Sequence, residues 1–397
     1  MSASTVGEVR TAPDPALTSA DVIRAAEELV PLLRERAVEV DHERRVSQDT
    51  YRRIGDAGLL HILKPRRYGG LELTDHDAAL ATMHLARGCA STAWVFSILS
   101  SDNMAILSFP EETQEEIWGV DSYATLAGNL NLNPAATVRR VDGGYRLTGA
   151  WGYCSGSDFS EWLIFNAPIE GAGHMLLVSH EETETIDDWY PTGLRGTGSR
   201  TIRVEDAFVP DRRVQPVGDV VRNIAERRSL HPGFDALWGI YPSTSRFTFA
   251  AVAVGAAWGA AEHFAATIGS STRVENALGG AVRLADQDYV ATEFAEAEGE
   301  ILMARRLVER TSRDAGERAS RHVEATEAEA AAEMRDNALV ARIALRAVNR
   351  IYGLIGAKAG NPDHPVTRAK RDIEMVNHHV TLNWRFAAVR YLRSIAG

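Results

Sequence analysis

At 397 residues the chain is about two to three times the usual single-domain length, so several packed units are expected rather than one. Hydrophobic residues make up 45% and charged residues 24%, which excludes disorder for the bulk of the chain. Acidic residues outnumber basic ones by 54 to 43; the net charge of −11 leaves no cationic excess to neutralise phosphate backbones and argues against nucleic acid as a partner.

From residue 18 to 120 the pattern is helical. Thr18 or Ser19 can cap a run through Val40, and Asp75 can cap a second run that continues past Trp94. Between them HILKPRRYGGLEL, with Pro65, Gly69 and Gly70, is a turn-rich connection. Residues 121–220 change to short alternating runs such as TVRRV, WLIFNA, HMLLVS and TIRVEDAFV, the texture of a barrel-like or sandwich β domain. VRRVDGGYRLTG sets Asp142, Gly143 and Gly144 between two strands, a hairpin signal. Trp151 and Tyr153 alternate in a strand and are expected to share a face, packing the core or walling a ligand.

Helix returns over residues 221–397, in runs at Ser245 to Ile268, Asp286 to Asp314, Val323 to Ile355 and Val366 to Ile395. A four-helix bundle is expected, with apolar surface to spare for a homo-oligomer, a dimer or tetramer. The fold class is therefore α+β, mostly α. The apolar stretch Phe247 to Ala261 is read as too brief to span a bilayer, and the first residues lack the basic and apolar order of a secretory signal. Cys89 and Cys154 stand in no metal-ligand or disulfide spacing, so no metal is expected and a reducing cytoplasm fits.

Several catalytic signatures are missing: no Walker loop, GxGxxG after a strand, GxSxG elbow or HExxH occurs. GLRGTGSRT, at 193–201, is glycine-rich but lacks the lysine and following helix that phosphate cradling needs. The order helices, strands, helices, together with RVSQDTYRRIGDAGLLHILKPRRYGGLEL and GLRGTGSRTIRVEDAFVP, resembles the acyl-CoA dehydrogenase superfamily from about Val22 to Tyr391. The dehydrogenases carry a glutamate base nine residues after the Arg of an Arg-Asp pair. Counting from Arg371 that position is Val380, which cannot accept a proton. His379, eight residues after Arg371, is similar to the histidine of the flavin-dependent monooxygenase branch, the two-component group D hydroxylases. CASTAWV at 89–95 and the Trp-x-x-x-Ser-Gly element in WGYCSG resemble the same branch.

The resemblance implies reduced flavin, FADH2 or FMNH2, with O2 as co-substrate, a C4a-hydroperoxide, and hydroxylation of a phenolic or indole-like ring. A separate NAD(P)H-dependent flavin reductase is implied, since the chain shows no nicotinamide site. It assigns acid/base work to His379, with its neighbour His378 as the alternative, and support of the flavin or its hydroperoxide to Ser155. Flavin contacts are expected from Trp151, Tyr153, Ser155, Thr197, Ser199, Arg273, Arg368 and Arg371. Where phenol-hydroxylating members place a histidine eleven residues after the serine of the motif, counting from Ser91 gives Asp102. An ionised Asp102 would orient a donor and repel a phenolate, favouring an indole-like ring or an amine.

Plainer readings stand beside these. Ser155 can be a turn serine, Asp102 a helix-end cap, the Arg-Asp pair surface electrostatics, and Trp94 helix packing. Oxygenation of an amine such as an amino sugar, an acyl-CoA dehydrogenase with a displaced base, and a flavin-free assembly partner are the alternative functions.

Overall fold

The computed structural model describes residues 13–239, 241–274 and 279–396. The N-terminal part holds α1 (Ser19–Glu28), α2 (Val30–Glu43), α3 (Gln48–Asp56), α4 (Asp75–Gly88), α5 (Ala90–Ser101), α6 (Asn103–Ile106) and α7 (Glu111–Gln114). Thr18, rather than Ser19, caps α1: its hydroxyl accepts from the Asp21 N–H while the Asp21 carboxylate accepts from the Thr18 N–H. The first expected run is two helices, because Pro31 has no N–H to continue the ladder and sits instead in the first turn of α2. Thr74 forms the same box with Asp77 and places Asp75 inside α4. The second run is also two helices: Cys89 is extended (φ −153°, ψ 114°) between α4 and α5. The break is packed tightly, since a Cβ on Gly88 would lie 2.6 Å from the Leu33 Cβ.

Eight strands follow: β1 (Leu126–Leu132), β2 (Thr137–Val141), β3 (Gly144–Cys154), β4 (Trp162–Ile169), β5 (Ala172–Ser179), β6 (Thr183–Ile186), β7 (Arg200–Pro210) and β8 (Val214–Pro216). They form two four-stranded sheets, ordered β1-β4-β5-β8 and β2-β3-β7-β6. The β2–β3 hairpin closes on Asp142 and Gly143, with Val141 opposite Gly144 and Gly143 at φ 71°. Trp151 on β3 stacks on Phe165 on β4, ring centroids 4.5 Å apart, so the sheets meet face to face.

The expectation that Trp151 and Tyr153 share a face is corrected. Between Trp151 and Cys154 the register with β7 slips by one residue, a bulge that puts Tyr153 at φ 67°. Trp151 is therefore buried in the β core, donating its Nε1–H to the Asn166 carbonyl at 3.1 Å, while Tyr153 is 74% exposed.

The C-terminal part comprises α8 (Val220–Arg227), α9 (Tyr241–Ile268), the short β9 (Thr272–Val274) and β10 (Ala281–Arg283), α10 (Asp288–Ser320), α11 (Glu327–Leu354), α12 (Pro365–Asn377) and α13 (Trp384–Ala396). The stretch read as too brief for a bilayer belongs to a longer helix. Phe247–Ile268 of α9 is long and apolar enough to cross one, but 72% of that window is buried, the signature of a core helix. It packs along α4, α11 and α12, so N-terminal helices and bundle share one core. The expected fourth bundle helix is broken between Asn377 and Trp384 into α12 and α13, and His379 lies in the break.

Candidate active site

The end of β3 and the start of β7 are neighbours in one sheet, which brings Ser155 and Ser199 opposite each other. Their hydroxyls are 2.6 Å apart, and Ser199 is in turn 2.7 Å from the Thr197 hydroxyl, which donates to the Leu194 carbonyl at 2.8 Å. All three side chains are buried. Trp94, from α5, donates its Nε1–H to the Ser155 hydroxyl at 3.1 Å. Read as helix packing from the sequence, Trp94 is the hub of the site. Its ring stacks on Phe249 of α9 at 4.4 Å and 10°, and the His379 ring stands edge-on to both, at 5.2 Å from Trp94 and 4.6 Å from Phe249.

His378 and His379 lie beyond the helix: α12 ends at Asn377 and His379 caps a separate short turn, Val380–Leu382. His379 faces the Trp94–Phe249 pair, whereas His378 is exposed. Burial against these rings pushes the His379 pKa down to about 4, not near neutrality, so the imidazole is neutral at pH 7. Its Nδ1 accepts from the Thr381 backbone N–H at 3.4 Å and lies 2.9 Å from the Thr381 hydroxyl. A backbone N–H only donates, so Nδ1 is bare and Nε2 carries the proton.

Asp102 ends α5, about two turns beyond Trp94 on the same helix. It is 7% exposed, has no ion pair or side-chain hydrogen bond among the described residues, and burial alone lifts its pKa to about 7. The expectation of a fully ionised acceptor is thereby corrected: near neutrality Asp102 is in good part a protonated acid that can donate. Its neighbour Asn103 is fully buried, and neither of its amide atoms is paired among the described residues.

Other expected contacts scatter. Arg371 spends its donors on the Thr192 and Pro362 carbonyls and on Asp41, and Arg368 donates to the Asp363 carbonyl, so both brace α12. Arg273 is exposed on β9. The structure thus gathers His379, Ser155, Ser199 and Thr197 and leaves Trp151, Tyr153, Arg273, Arg368 and Arg371 outside the cluster. Reading the sequence missed Phe249 and Thr381, which no motif marks, and undervalued Trp94, which stands inside CASTAWV.

Helical cover, paired β-sheets and bundle around this cluster define a protein of acyl-CoA dehydrogenase architecture. Residues 22–121 match the acyl-CoA dehydrogenase N-terminal domain and residues 247–384 the acyl-CoA dehydrogenase C-terminal domain. The chain is 31% identical to the flavin-dependent monooxygenase oxygenase subunit HsaA of Mycobacterium tuberculosis, over 88% of this chain and 89% of that one. It is 26% identical to the oxygenase component of p-hydroxyphenylacetate 3-hydroxylase from Acinetobacter baumannii, over 96% and 90%. XiaF from a Streptomyces species, solved with FADH2 and glycerol, superposes with a TM-score of 0.87 at 25% identity over 96% of both chains. The chain belongs to the oxygenase subunits of two-component flavin-dependent monooxygenases, a branch of the acyl-CoA dehydrogenase superfamily.

Proposed function

We propose that the protein hydroxylates an aromatic or heteroaromatic ring with reduced flavin and O2, drawing FADH2 or FMNH2 from a separate NAD(P)H-dependent flavin reductase in the cytoplasm. The observation that carries this reading is the meeting, at Trp94, of a buried hydroxyl chain and a neutral imidazole. The donor and acceptor set suits a flavin ring, which bears both N–H and carbonyl groups along its edge: Ser155 has a hydroxyl oxygen to offer, and His379 an N–H. When bound, the reduced flavin supplies the two electrons that let one oxygen atom enter the ring while the other leaves as water.

The chain's own residues position and shield. Trp94 and Phe249 form an apolar wall that keeps water from the reacting centre. His379 donates from Nε2 to an oxygen atom; taking a proton there instead would require the other tautomer, which loses the bond from the Thr381 N–H. Asp102 orients the substrate. As an acid near its midpoint it serves a phenol oxygen as well as a ring N–H, so the objection to phenols lapses, in keeping with the hydroxyphenylacetate relative. Arg273, exposed on its hairpin, reaches the flavin phosphates of a neighbouring copy in a homo-oligomer.

His379→Ala is expected to lower hydroxylation by about a hundredfold or more while reduced flavin still binds, with O2 diverted to hydrogen peroxide. His378→Ala is expected to stay within about twofold of the parent. Product and peroxide measured together on a panel of phenols and indoles decide the matter. An unaffected His379→Ala, or no turnover of any aromatic compound, overturns the assignment.

A further inference from the structure

The buried hydroxyls form a chain whose polarity can be worked out. Indole N–H only donates, so Trp94 always occupies one lone pair of Ser155. At the other end the Leu194 carbonyl only accepts, and the Thr197 hydroxyl, at 2.8 Å, is the shortest contact it takes. Run from Ser155 through Ser199 and Thr197 to Leu194, the chain satisfies four hydrogen bonds, counting that from Trp94. Run the other way, Thr197 donates to Ser199 and Ser199 to Ser155; three bonds remain and the Ser155 proton is left pointing outward. The first polarity is the more stable, because it forfeits no internal bond. In it Ser155 presents one lone pair and no proton.

We infer that Trp94, Ser199 and Thr197 are positioning residues that dedicate Ser155 to accepting a hydrogen bond from the flavin ring nitrogen that carries a proton only in the reduced state, so that the hydroxyl chain selects reduced over oxidised flavin. The inference rests on the proposed function. In oxidised flavin the same nitrogen is bare and faces the Ser155 oxygen lone pair to lone pair. Binding it well requires the whole chain to reverse, with loss of the bond to Leu194. Thr197 and Ser199 therefore act through Ser155 and need not touch the cofactor themselves, which differs from the contact role expected from the sequence.

The test is anaerobic titration of the apoprotein with reduced and with oxidised FAD and FMN, reading the ratio of the two dissociation constants. Thr197→Val removes the terminus of the chain and makes both polarities equal in bonds. The preference for reduced flavin is expected to shrink by roughly three- to tenfold, one hydrogen bond's worth. Thr197→Ser restores the hydroxyl and should restore the ratio. Ser199→Ala leaves the Ser155 proton without its acceptor and should produce the same loss without touching the Thr197 methyl group. Melting curves show whether each variant is folded. A ratio unchanged in both Thr197→Val and Ser199→Ala, or no recovery in Thr197→Ser, overturns the inference while leaving the proposed function intact. Wild-type protein that binds neither form of flavin overturns both.

Discussion

Asp102 shows how far burial alone can change a side chain. Its folded pKa, about 7, lies above the ordinary aspartate value of 3.8. The folded state therefore holds a proton that the unfolded chain releases, so the associated stability is full below about pH 4 and is lost as pH rises through about 7. Asp102→Asn keeps the shape and removes the titration. It is expected to melt like the parent near pH 4 and to be more stable at pH 8, by up to roughly 4 kcal/mol. Thermal melts across that range decide it, and a difference that does not vary with pH would remove Asp102 from this account. At this scale the sequence was legible where spacing is covalent. Counting from Arg371 and from Ser91 reached His379 and Asp102, yet counting says nothing about solvent, and both pKa values moved away from what an exposed group would show. Phe249 was invisible for a related reason: it is one apolar residue among many in α9, and only the packed helices reveal which of them meets Trp94.

The elements most exposed to misreading were helices that break while keeping their apolar face. Across Pro31 the periodicity continues because Val22 and Ala26 bury the same face as Val30, Leu33, Ala37 and Val40, and apolar residues also run on past Cys89 and the 378–383 segment, so the breaks leave little trace in composition. The hairpin at Gly143 and the cap at Thr18 are local chemistry and could be read directly, whereas the second cap falls on Thr74, one residue before the expected Asp75. The loop at 193–199 lies between these cases. Its glycines looked like a weak phosphate motif, but the structure gives them a packing role. A Cβ on Gly193 would fall 2.1 Å from the Arg371 carbonyl oxygen, and one on Gly196 would fall 2.1 Å from the Val40 Cγ1. The loop is further stitched to α12 by the Leu194 N–H donating to Asp372 at 2.6 Å. Gly193→Ala is expected to cost about 1–3 kcal/mol and to weaken reduced-flavin binding several-fold, because the hydroxyl chain hangs from this loop. Gly218, where an added Cβ would meet open space, is the control: Gly218→Ala should change neither melting temperature nor binding. Equal behaviour of the two variants would show that the loop's fit does not govern the site.

At the scale of the whole molecule, α13 carries more exposed large apolar side chains than any other described helix. Only Ala387 of this helix is buried, in a small cluster with Met334 and Ala338 that stands apart from the main core. Its outer half carries Phe386, Val389, Leu392 and Ile395, each between 43% and 62% exposed. Exposed apolar side chains grouped on one helix are characteristic of interfaces, so α13 is expected to be covered in an oligomer, where each such side chain contributes about 1.5–3 kcal/mol when fully buried. The net charge of −11 works against association of identical chains, so apolar contact has to outweigh repulsion. Two consequences follow from that balance. Light scattering coupled to gel filtration should give a dimer or tetramer whose mass holds or rises as salt is added, since salt screens the repulsion and leaves the apolar term. Phe386→Glu with Leu392→Glu should shift the mass toward a single chain. If Arg273 works across the same assembly, the double variant and Arg273→Ala should weaken flavin binding in parallel, by several-fold each, and their combination should add little further. A wild-type monomer, or a double variant that keeps its full mass, would place the partner of this face elsewhere.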